Sequence, residues 1–272
     1  MALIAGILIL LVGFGVVFEV ITSAMGIAGQ EKSTFWRLLA GLLALQVPTL
    51  ALTHGFLRVH QTGWLKGFGL AWNSMAWKWG LSIAVGAVLV GYPIEYGVFE
   101  LMRVFGHKPE SQLAVRFLTE APGWQRVIIG FLAVVPAAIA EESLFRGVLY
   151  SAGRDFGYPK VAIAGTALIF GLAHAHVAAF IPLTLLGAGL AWGYERTGNL
   201  VTCYIAHAAY NAIGLAVAVG AATATNSVLV GVTAYDPATY LVVPAVLLLG
   251  AAAAAAPARR ALRADPATVL RG

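Results

Sequence analysis

The chain has 272 residues, of which 60% are hydrophobic and only 11% are charged, and its mean hydropathy is +0.84. Soluble domains are typically about 45–50% apolar and about 25% charged, so this composition excludes an ordinary soluble domain and indicates a protein that crosses a membrane repeatedly. The net charge of +5 comes from basic residues dispersed at predicted helix ends, and we therefore expect no nucleic-acid partner. The single cysteine, Cys203, excludes an internal disulfide.

Apolar runs long enough to span a lipid bilayer predict an all-α fold. We expect a polytopic membrane helix bundle of about eight transmembrane helices with a polar intramembrane cavity. The N-terminal run lacks the basic segment of a signal peptide, so we expect it to remain in the protein as the first helix. The predicted helices cover residues 3–22, 36–56, 79–98, 124–150, 159–175, 177–194, 198–219 and 238–256.

The stretch between the second and third helices, "RVHQTGWLKGFGLAWNSMAWKW", alternates tryptophan with lysine. Tryptophan rings favour the headgroup region of a bilayer and lysine favours its water side, so we predict a segment that lies in the membrane interface. A role in substrate binding is the alternative. The residues concerned are Trp64, Trp72, Trp77, Trp79, Lys66 and Lys78.

The distribution of Lys and Arg predicts the orientation of the bundle. Placing the N-terminus in the cytoplasm puts most of the basic loop residues on that side, including the Arg-rich tail at 259–271. Because basic loops tend to stay in the cytoplasm, we expect both termini there. The predicted cytoplasmic residues include Arg58, Lys66, Lys78, Arg154, Lys160 and Arg196.

The sequence "AAIAEESLFRGVLY", residues 137–150, places three charges inside an apolar run. A charge within a bilayer costs roughly 2.5–3.5 kcal/mol on insertion scales and usually faces the bundle interior. Glu142 and Arg146, four residues apart, share a helix face and can form an ion pair. Glu141 projects about 100° away, so we predict one structural carboxylate and one available carboxylate. Three solvated charges at a helix end are the simpler explanation.

Two further predicted helices carry polar side chains. His174 and His176 end the stretch "ALIFGLAHAH", where each could be an ordinary interfacial histidine. His207 and Asn211, in "VTCYIAHAAYNAIG", share one face at mid-helix and need polar partners in lipid. Hydrogen bonding between helices would by itself explain them.

One hydrated site shared by the three helices explains these groups together. A carboxylate and an imidazole can hold and deprotonate water, while a second imidazole and an amide can donate hydrogen bonds to an oxyanion. This combination suits amide hydrolysis without a covalent enzyme intermediate. The set Glu141, His174 and His207 could instead bind zinc, with ligands gathered from separate helices because no HExxH pair is present.

The three motifs resemble those of a known family. "EESLFRG" matches the pattern EExxxR, "FGLAH" matches FxxxH and "HAAYN" matches HxxxN, in that order within residues 124–215. Together they resemble the CPBP intramembrane proteases, the family of the type II CAAX prenyl endopeptidases and bacteriocin-immunity relatives. The resemblance implies an eight-helix fold with a cavity that opens to the cytosol.

The resemblance also implies roles for individual residues. Glu141 and His174 would activate water, His207 and Asn211 would stabilise the oxyanion, and the paired glutamate and arginine of EExxxR would support the site. We expect no cofactor, since asparagine is a poor zinc ligand and a good oxyanion donor. A zinc ion held by the two histidines and the first glutamate is the alternative.

The depth of the site in the membrane raises a separate expectation. If the fifth helix begins near Lys160, His174 lies near its far end, whereas Glu141 and His207 lie closer to the cytosolic side. We therefore expect this helix to be tilted, or to begin below the membrane surface.

The C-terminal region, "VTAYDPATYLVVPAVLLLGAAAAAAPARRALRADPATVLRG", is similar to the last helix and tail of macrolide-exporter-type ABC permeases. With no P-loop in the chain, this resemblance implies a cytoplasmic tail rather than export activity, and it favours a bacterial inner membrane. An independent Ala/Arg-rich stop-transfer tail is the alternative. The expected division is an N-terminal membrane region at 1–123, a protease core at 124–220, and a last helix with a basic tail at 221–272.

Three functions compete. The favoured one is an intramembrane endopeptidase that cleaves a peptide or protein substrate near the cytosolic face of the lipid bilayer. An inactive immunity or scaffold protein would be expected to have lost at least one motif residue. A proton-coupled transporter would be expected to show an inverted repeat, which we do not find in the sequence.

Overall fold

The computed structural model of the chain describes residues 31–107, 117–118 and 123–230, with side chains described between residues 35 and 220 of these ranges. Every regular element within the described residues is helical, which confirms the predicted all-α class. The predicted helices at 3–22 and 238–256, and the permease-like tail, lie outside the described residues. The count of eight helices therefore stays a prediction.

The other predicted helices are present, with ends that differ by a few residues, except that the helix predicted at 198–219 continues to Val230. The element at 177–194, for example, begins and ends three residues later, at Phe180–Thr197. In chain order the helices are α1 (Glu31–Val59), α2 (Trp64–Gly67), α3 (Ser74–Val104), α4 (Gly123–Val134), α5 (Pro136–Glu142), a π-helix (Ser143–Tyr150), α6 (Ser151–Asp155), α7 (Pro159–Ala173), α8 (Phe180–Thr197) and α9 (Leu200–Val230).

Within the described ranges, four helical stretches are long and apolar enough to cross a membrane: Phe35–Val59, Ser74–Val104, Gly123–Asp155 and Leu200–Gly220. They indicate an integral membrane protein. The apolar helix α7 has only 15 residues, which gives a rise of about 22 Å. Since the hydrocarbon core of a bilayer is about 30 Å thick, α7 is too short to cross it.

The predicted helix at 124–150 is not one uninterrupted α-helix. The stretch Gly123–Asp155 is interrupted before Pro136. Proline has no backbone N–H, so the carbonyl of Leu132, four residues earlier, loses its usual donor. The side-chain amide of Gln46, buried on α1, donates to that carbonyl at 3.1 Å. The bundle thereby satisfies the backbone at the break, as a lipid environment requires.

The π-helix begins directly after the two adjacent glutamates. Such wide turns within α-helices are rare and occur frequently at functional sites. The hydroxyl of Ser143 donates to the carbonyl of Ile139 at 2.6 Å and lies 2.7 Å from the hydroxyl of Tyr204 on α9. The hydroxyl of Ser151 donates to the carbonyl of Arg146 at 2.9 Å. These contacts fix the widened helix in place beside α9.

The segment between α1 and α3 is fastened to one end of the bundle. The side-chain amide of Asn199 donates to the carbonyl of Ala71 at 2.6 Å, and its oxygen accepts from the amide of Ala71 at 3.2 Å. Gly69 has a φ of +61°, and a Cβ at that position would lie 2.0 Å from the carbonyl oxygen of Gly198. The segment is therefore seated on the turn between α8 and α9.

Helix α8 joins the bundle by packing against α7, α3 and α9. The contact surfaces contain completely buried side chains from three of these helices: Phe170 on α7, Leu186 and Leu190 on α8, and Leu200 on α9. This core, which also includes Leu144, Phe145 and Tyr150, holds α7, α8 and α9 against the π-helix.

Candidate active site

The ion pair predicted within the EExxxR sequence is present and completely buried. Nη1 of Arg146 donates to Oε1 of Glu142 at 2.7 Å, and neither side chain is exposed to solvent. Nη2 of Arg146 donates to the carbonyl of Gly187 on α8 at 2.9 Å. The guanidinium carbon lies 4.6 Å from the centre of the Phe170 ring on α7, within the range of a cation–π contact. Arg146 therefore joins the π-helix to α7 and α8.

His207 of α9 is bound to the same carboxylate. Its Nδ1 lies 2.8 Å from Oε1 of Glu142, and the side chain is 2% exposed. A single oxygen of Glu142 thus accepts hydrogen bonds from the arginine of the first motif and the histidine of the third. Glu142 is a structural carboxylate, as its spacing to Arg146 predicts, and it also orients His207.

His174 follows the last residue of α7. Its Nδ1 lies 2.8 Å from the backbone carbonyl of Phe170. A carbonyl oxygen only accepts, so Nδ1 carries the hydrogen, and Nε2 of the neutral imidazole has a free lone pair. The next residue, Ala175, has a φ of 48°, a left-handed conformation that is uncommon for alanine and that turns the chain away from the helix axis.

Glu141 lies between the two imidazoles. Its Oε2 atom is 3.8 Å from Nε2 of His174 and 3.9 Å from Nε2 of His207. Both separations exceed a direct hydrogen bond and suit a bridging water molecule. The Oε2 atom is shielded from solvent and has no hydrogen-bond partner within the described part of the chain. Glu141 is thus the available carboxylate that the helix geometry predicts.

Helix α7 ends directly before His174, whose imidazole lies 3.8 Å from Glu141. The sequence predicts that its histidine would lie too far along the helix unless the helix tilts or begins below the membrane surface. The helix ends at Ala173 after 15 residues, and the imidazole contacts the Glu141 region from that end. The expected tilt, or start below the membrane surface, stays a prediction.

Asn211 lies one helical turn beyond His207 on α9. Its side-chain amide donates to the carbonyl of Ala133 at 3.0 Å, next to the break at Pro136. A primary amide has two N–H bonds, so this contact leaves one hydrogen for another acceptor. The role of Asn211 as an oxyanion donor stays a prediction.

The other candidate imidazole, His176, is held outside this cluster. Its Nδ1 accepts from the amide of Ala179 at 3.2 Å, and its ring lies 6.2 Å from the ring of Phe99 on α3. His176 therefore helps to shape the connection between α7 and α8.

Three groups at the site were not among the predicted residues. The carbonyl of Phe170 orients His174, and its ring lies beneath the guanidinium of Arg146. The carbonyls of Gly187 and Ala133 also accept hydrogen bonds from motif side chains. The FxxxH spacing was the available signal for Phe170, whereas a backbone carbonyl leaves no signal in the sequence.

The zinc alternative requires two imidazole nitrogens and a carboxylate oxygen as ligands. These atom types suit zinc, but the atoms lie farther apart than zinc ligands do. Both histidines have Nδ1 bonded to an acceptor, as zinc-bound histidines usually do. Tetrahedral ligands at about 2.0–2.1 Å from zinc would lie about 3.4 Å apart, closer than the 3.8 Å and 3.9 Å measured from Glu141 Oε2 to the Nε2 atoms of His174 and His207. Within the ranges that the structure describes, no group of three His, Cys, Asp or Glu side chains has the geometry of a metal site.

Comparison with known proteins shows a similarity for this core. Residues 122–213 match the family model described as "Type II CAAX prenyl endopeptidase Rce1-like". The match includes all three motifs and confirms the resemblance to the CPBP intramembrane proteases. The chain is accordingly similar to CAAX-type peptidases. No curated protein and no solved structure matches the chain, and the permease resemblance of the tail stays a prediction.

Proposed function

We propose that the protein is an intramembrane endopeptidase that hydrolyses a peptide bond of a membrane-associated substrate near the cytosolic face. Water activated by Glu141 and His174 is the nucleophile. The observation that carries the proposal is the position of Oε2 of Glu141, 3.8 Å and 3.9 Å from the Nε2 atoms of His174 and His207. The similarity to CAAX-type peptidases supports the same class of reaction.

A water molecule between Glu141 and His174 would donate one hydrogen to each side chain. His174 can accept at Nε2 because its Nδ1 hydrogen is engaged by the carbonyl of Phe170 at 2.8 Å. As the water oxygen bonds to the peptide carbonyl carbon, a water proton passes to Glu141. The C–N bond then breaks, and Glu141 returns this proton to the leaving amine. The products are a carboxylic acid and an amine.

His207 and Asn211 are the proposed donors to the oxyanion of the tetrahedral intermediate. With Nδ1 of His207 donating to Glu142, Nε2 donates only in the doubly protonated imidazolium form. In that form, the negative charges of Glu141 and Glu142 balance the positive charges of Arg146 and His207. The group then has no net charge, which limits the desolvation cost of burying it. The oxyanion would then receive one charged and one neutral hydrogen bond.

The different partners of the two histidines support their different roles. The Nδ1 atom of His174 faces a neutral carbonyl, which suits an imidazole that accepts a hydrogen bond from water. The Nδ1 atom of His207 faces a carboxylate, which suits an imidazolium that donates to an oxyanion. The proposal therefore assigns the imidazole that accepts a hydrogen bond from water to the second motif and the oxyanion donor to the third, with Glu141 of the first motif as the base.

A zinc-dependent version of the same hydrolysis is the alternative that uses the same donor set. When bound, zinc would supply Lewis-acid activation of water, with Glu141, His174 and His207 as its holders. We favour the metal-free reaction because Asn211 suits an oxyanion better than it suits zinc. The test is to remove metal from the protein and to check by metal analysis that no zinc is left. Cleavage by this metal-free protein would support the proposal. Loss of cleavage that is restored only by added zinc would support the alternative.

The proposed function is tested with the full-length chain in liposomes. Substrate is obtained by co-purification with the Glu141→Ala variant, which should bind without cleaving. We expect the wild type to cleave the captured polypeptide, whereas Glu141→Ala, His174→Ala and His207→Ala should leave it intact while remaining folded. Glu100→Ala is the matched control, because this acid is exposed and paired with Arg103 at 2.9 Å. Cleavage at the wild-type rate by Glu141→Ala would refute the mechanism.

A further inference from the structure

The stretch Arg58–Trp79, which we call the interfacial segment, has an outer face that is both apolar and basic. The side chains of Leu65, Met75 and Trp77 are 73%, 55% and 40% exposed. Lys66 and Lys78 are exposed beside them. Large apolar side chains interspersed with lysine at the end of a membrane bundle suit the headgroup region, where the rings and the lysine stems reach inward and the ammonium groups reach water.

The inner face of the interfacial segment contacts the helices of the candidate site. Phe68 is 1% exposed, and a Cβ added at Gly147 would lie 2.6 Å from its ring. Gly147 directly follows Arg146 in the π-helix. The amide of Leu200, at the start of α9, donates to the carbonyl of Phe68 at 3.1 Å. The segment is therefore a fixed part of the bundle, and its outer face has a defined position.

The outer face has an excess of positive charge. The sequence has no Asp or Glu from residue 32 to residue 94, so the segment contains no carboxylate to neutralise its lysines. Two acidic side chains near the same end of the bundle are already engaged: Asp155 pairs with Arg154 at 2.9 Å, and Glu195 accepts from the hydroxyl of Tyr150. Within the part of the chain that the structure describes, neither lysine forms an ion pair, which makes the face complementary to an anionic surface.

We propose that the interfacial segment binds anionic lipid headgroups, with Lys66 and Lys78 providing the preference over zwitterionic lipid. A bilayer surface fits better than a protein partner, because exposed apolar side chains and exposed lysines alternate along this segment at the end of a membrane bundle. A lysine close to an anionic membrane strengthens binding by about fivefold. Loss of both lysines should therefore weaken the preference by about 25-fold.

The test uses the purified full-length protein in detergent, titrated with phosphatidylglycerol or phosphatidylcholine while its melting temperature is recorded. Phosphatidylglycerol should stabilise the wild type at a lower concentration than phosphatidylcholine. The Lys66→Gln/Lys78→Gln variant should require about 25-fold more phosphatidylglycerol and should respond to phosphatidylcholine as the wild type does. Lys66→Arg/Lys78→Arg should retain the wild-type response, which separates loss of charge from loss of folding.

Lys160→Gln is the matched control, since Lys160 is exposed at the start of α7 outside the segment. It should leave the phosphatidylglycerol response unchanged. Equal stabilisation of the wild type by the two lipids would overturn the proposal. A wild-type response of Lys66→Gln/Lys78→Gln to phosphatidylglycerol would also overturn it. The same holds if Lys160→Gln weakened this response as much as the double substitution does. None of these readouts depends on proteolysis, so the proposed function and this proposal can fail separately.

Discussion

The Nδ1 atom of His207 lies 2.8 Å from the Oε1 atom of Glu142, with both side chains buried. This contact joins the first motif to the third. The same oxygen accepts from Nη1 of Arg146 at 2.7 Å. Two adjacent glutamates thus have different surroundings: one oxygen of Glu142 contacts both Arg146 and His207, and Glu141 faces imidazole nitrogens that are too distant for direct hydrogen bonds.

The buried ion pair should be important for stability. Arg146→Ala leaves the Glu142 carboxylate buried beside His207 without its arginine, which should lower the free energy of unfolding by about 3–5 kcal/mol. The measurement is denaturant unfolding of the purified protein in detergent. Arg103→Ala is the control, because its pair with Glu100 is 66% and 42% exposed and should contribute about 0–1 kcal/mol. Similar losses in the two variants would contradict the account.

Asn211 should act mainly on turnover. Asn211→Ala removes a proposed oxyanion donor, so kcat should fall by about 10²–10³-fold. The lost hydrogen bond to Ala133 should lower stability by only about 1 kcal/mol. The control is Asn199→Ala, which removes the contacts to Ala71 and should affect stability while leaving kcat within a few-fold of wild type. If Asn211→Ala retained wild-type kcat, the amide would have a structural role only.

The contact between the interfacial segment and the π-helix can be tested at a glycine. Gly147→Ala would place a Cβ 2.6 Å from the Phe68 ring, and the resulting overpacking should destabilise the protein by about 1–3 kcal/mol. Gly86→Ala, on α3 with no atom within 4 Å of the added Cβ, should be neutral or stabilising by about 0.5–1 kcal/mol. Thermal unfolding of both variants distinguishes these outcomes. A lower melting temperature for Gly86→Ala together with an unchanged one for Gly147→Ala would contradict the expectation.

The break at Pro136 predicts coupling between two helices. Gln46→Ala leaves the carbonyl of Leu132 without its donor and should cost about 1–3 kcal/mol. In a Pro136→Ala background, a backbone N–H becomes available for that carbonyl, so the same substitution should cost less. A double-mutant cycle measures the difference, for which we expect a coupling of at least about 0.5 kcal/mol. Strictly additive effects would show that Gln46 does not compensate for the proline.

The pairing of Glu142 with Arg146 could be predicted from the sequence because both residues lie on one helix face. The meeting of the three motifs could also be anticipated, since polar side chains in lipid require partners. The break at Pro136 and the π-helix were missed, although both lie in the predicted helix 124–150. Apolar periodicity does not distinguish a straight helix from a broken one whose free carbonyls are satisfied by distant side chains.

The second role of Glu142 was beyond sequence reasoning. Spacing along one helix predicts its arginine partner, whereas the contact with His207 joins residues 65 positions apart and depends on how α9 packs. The support of Arg146 by the carbonyl of Gly187 depends equally on tertiary packing. Sequence patterns therefore predicted which motif side chains lie near one another better than they predicted the contacts that orient those side chains.

The cleavage rate of the Glu141→Gln variant tests the central claim most directly. Glutamine preserves the size of the side chain but cannot accept the proton of the attacking water. With the captured substrate in liposomes, we predict a rate at least about 10²–10⁴-fold below that of the wild type, at an unchanged melting temperature. Cleavage by Glu141→Gln at the wild-type rate would contradict the assignment of Glu141 as the base.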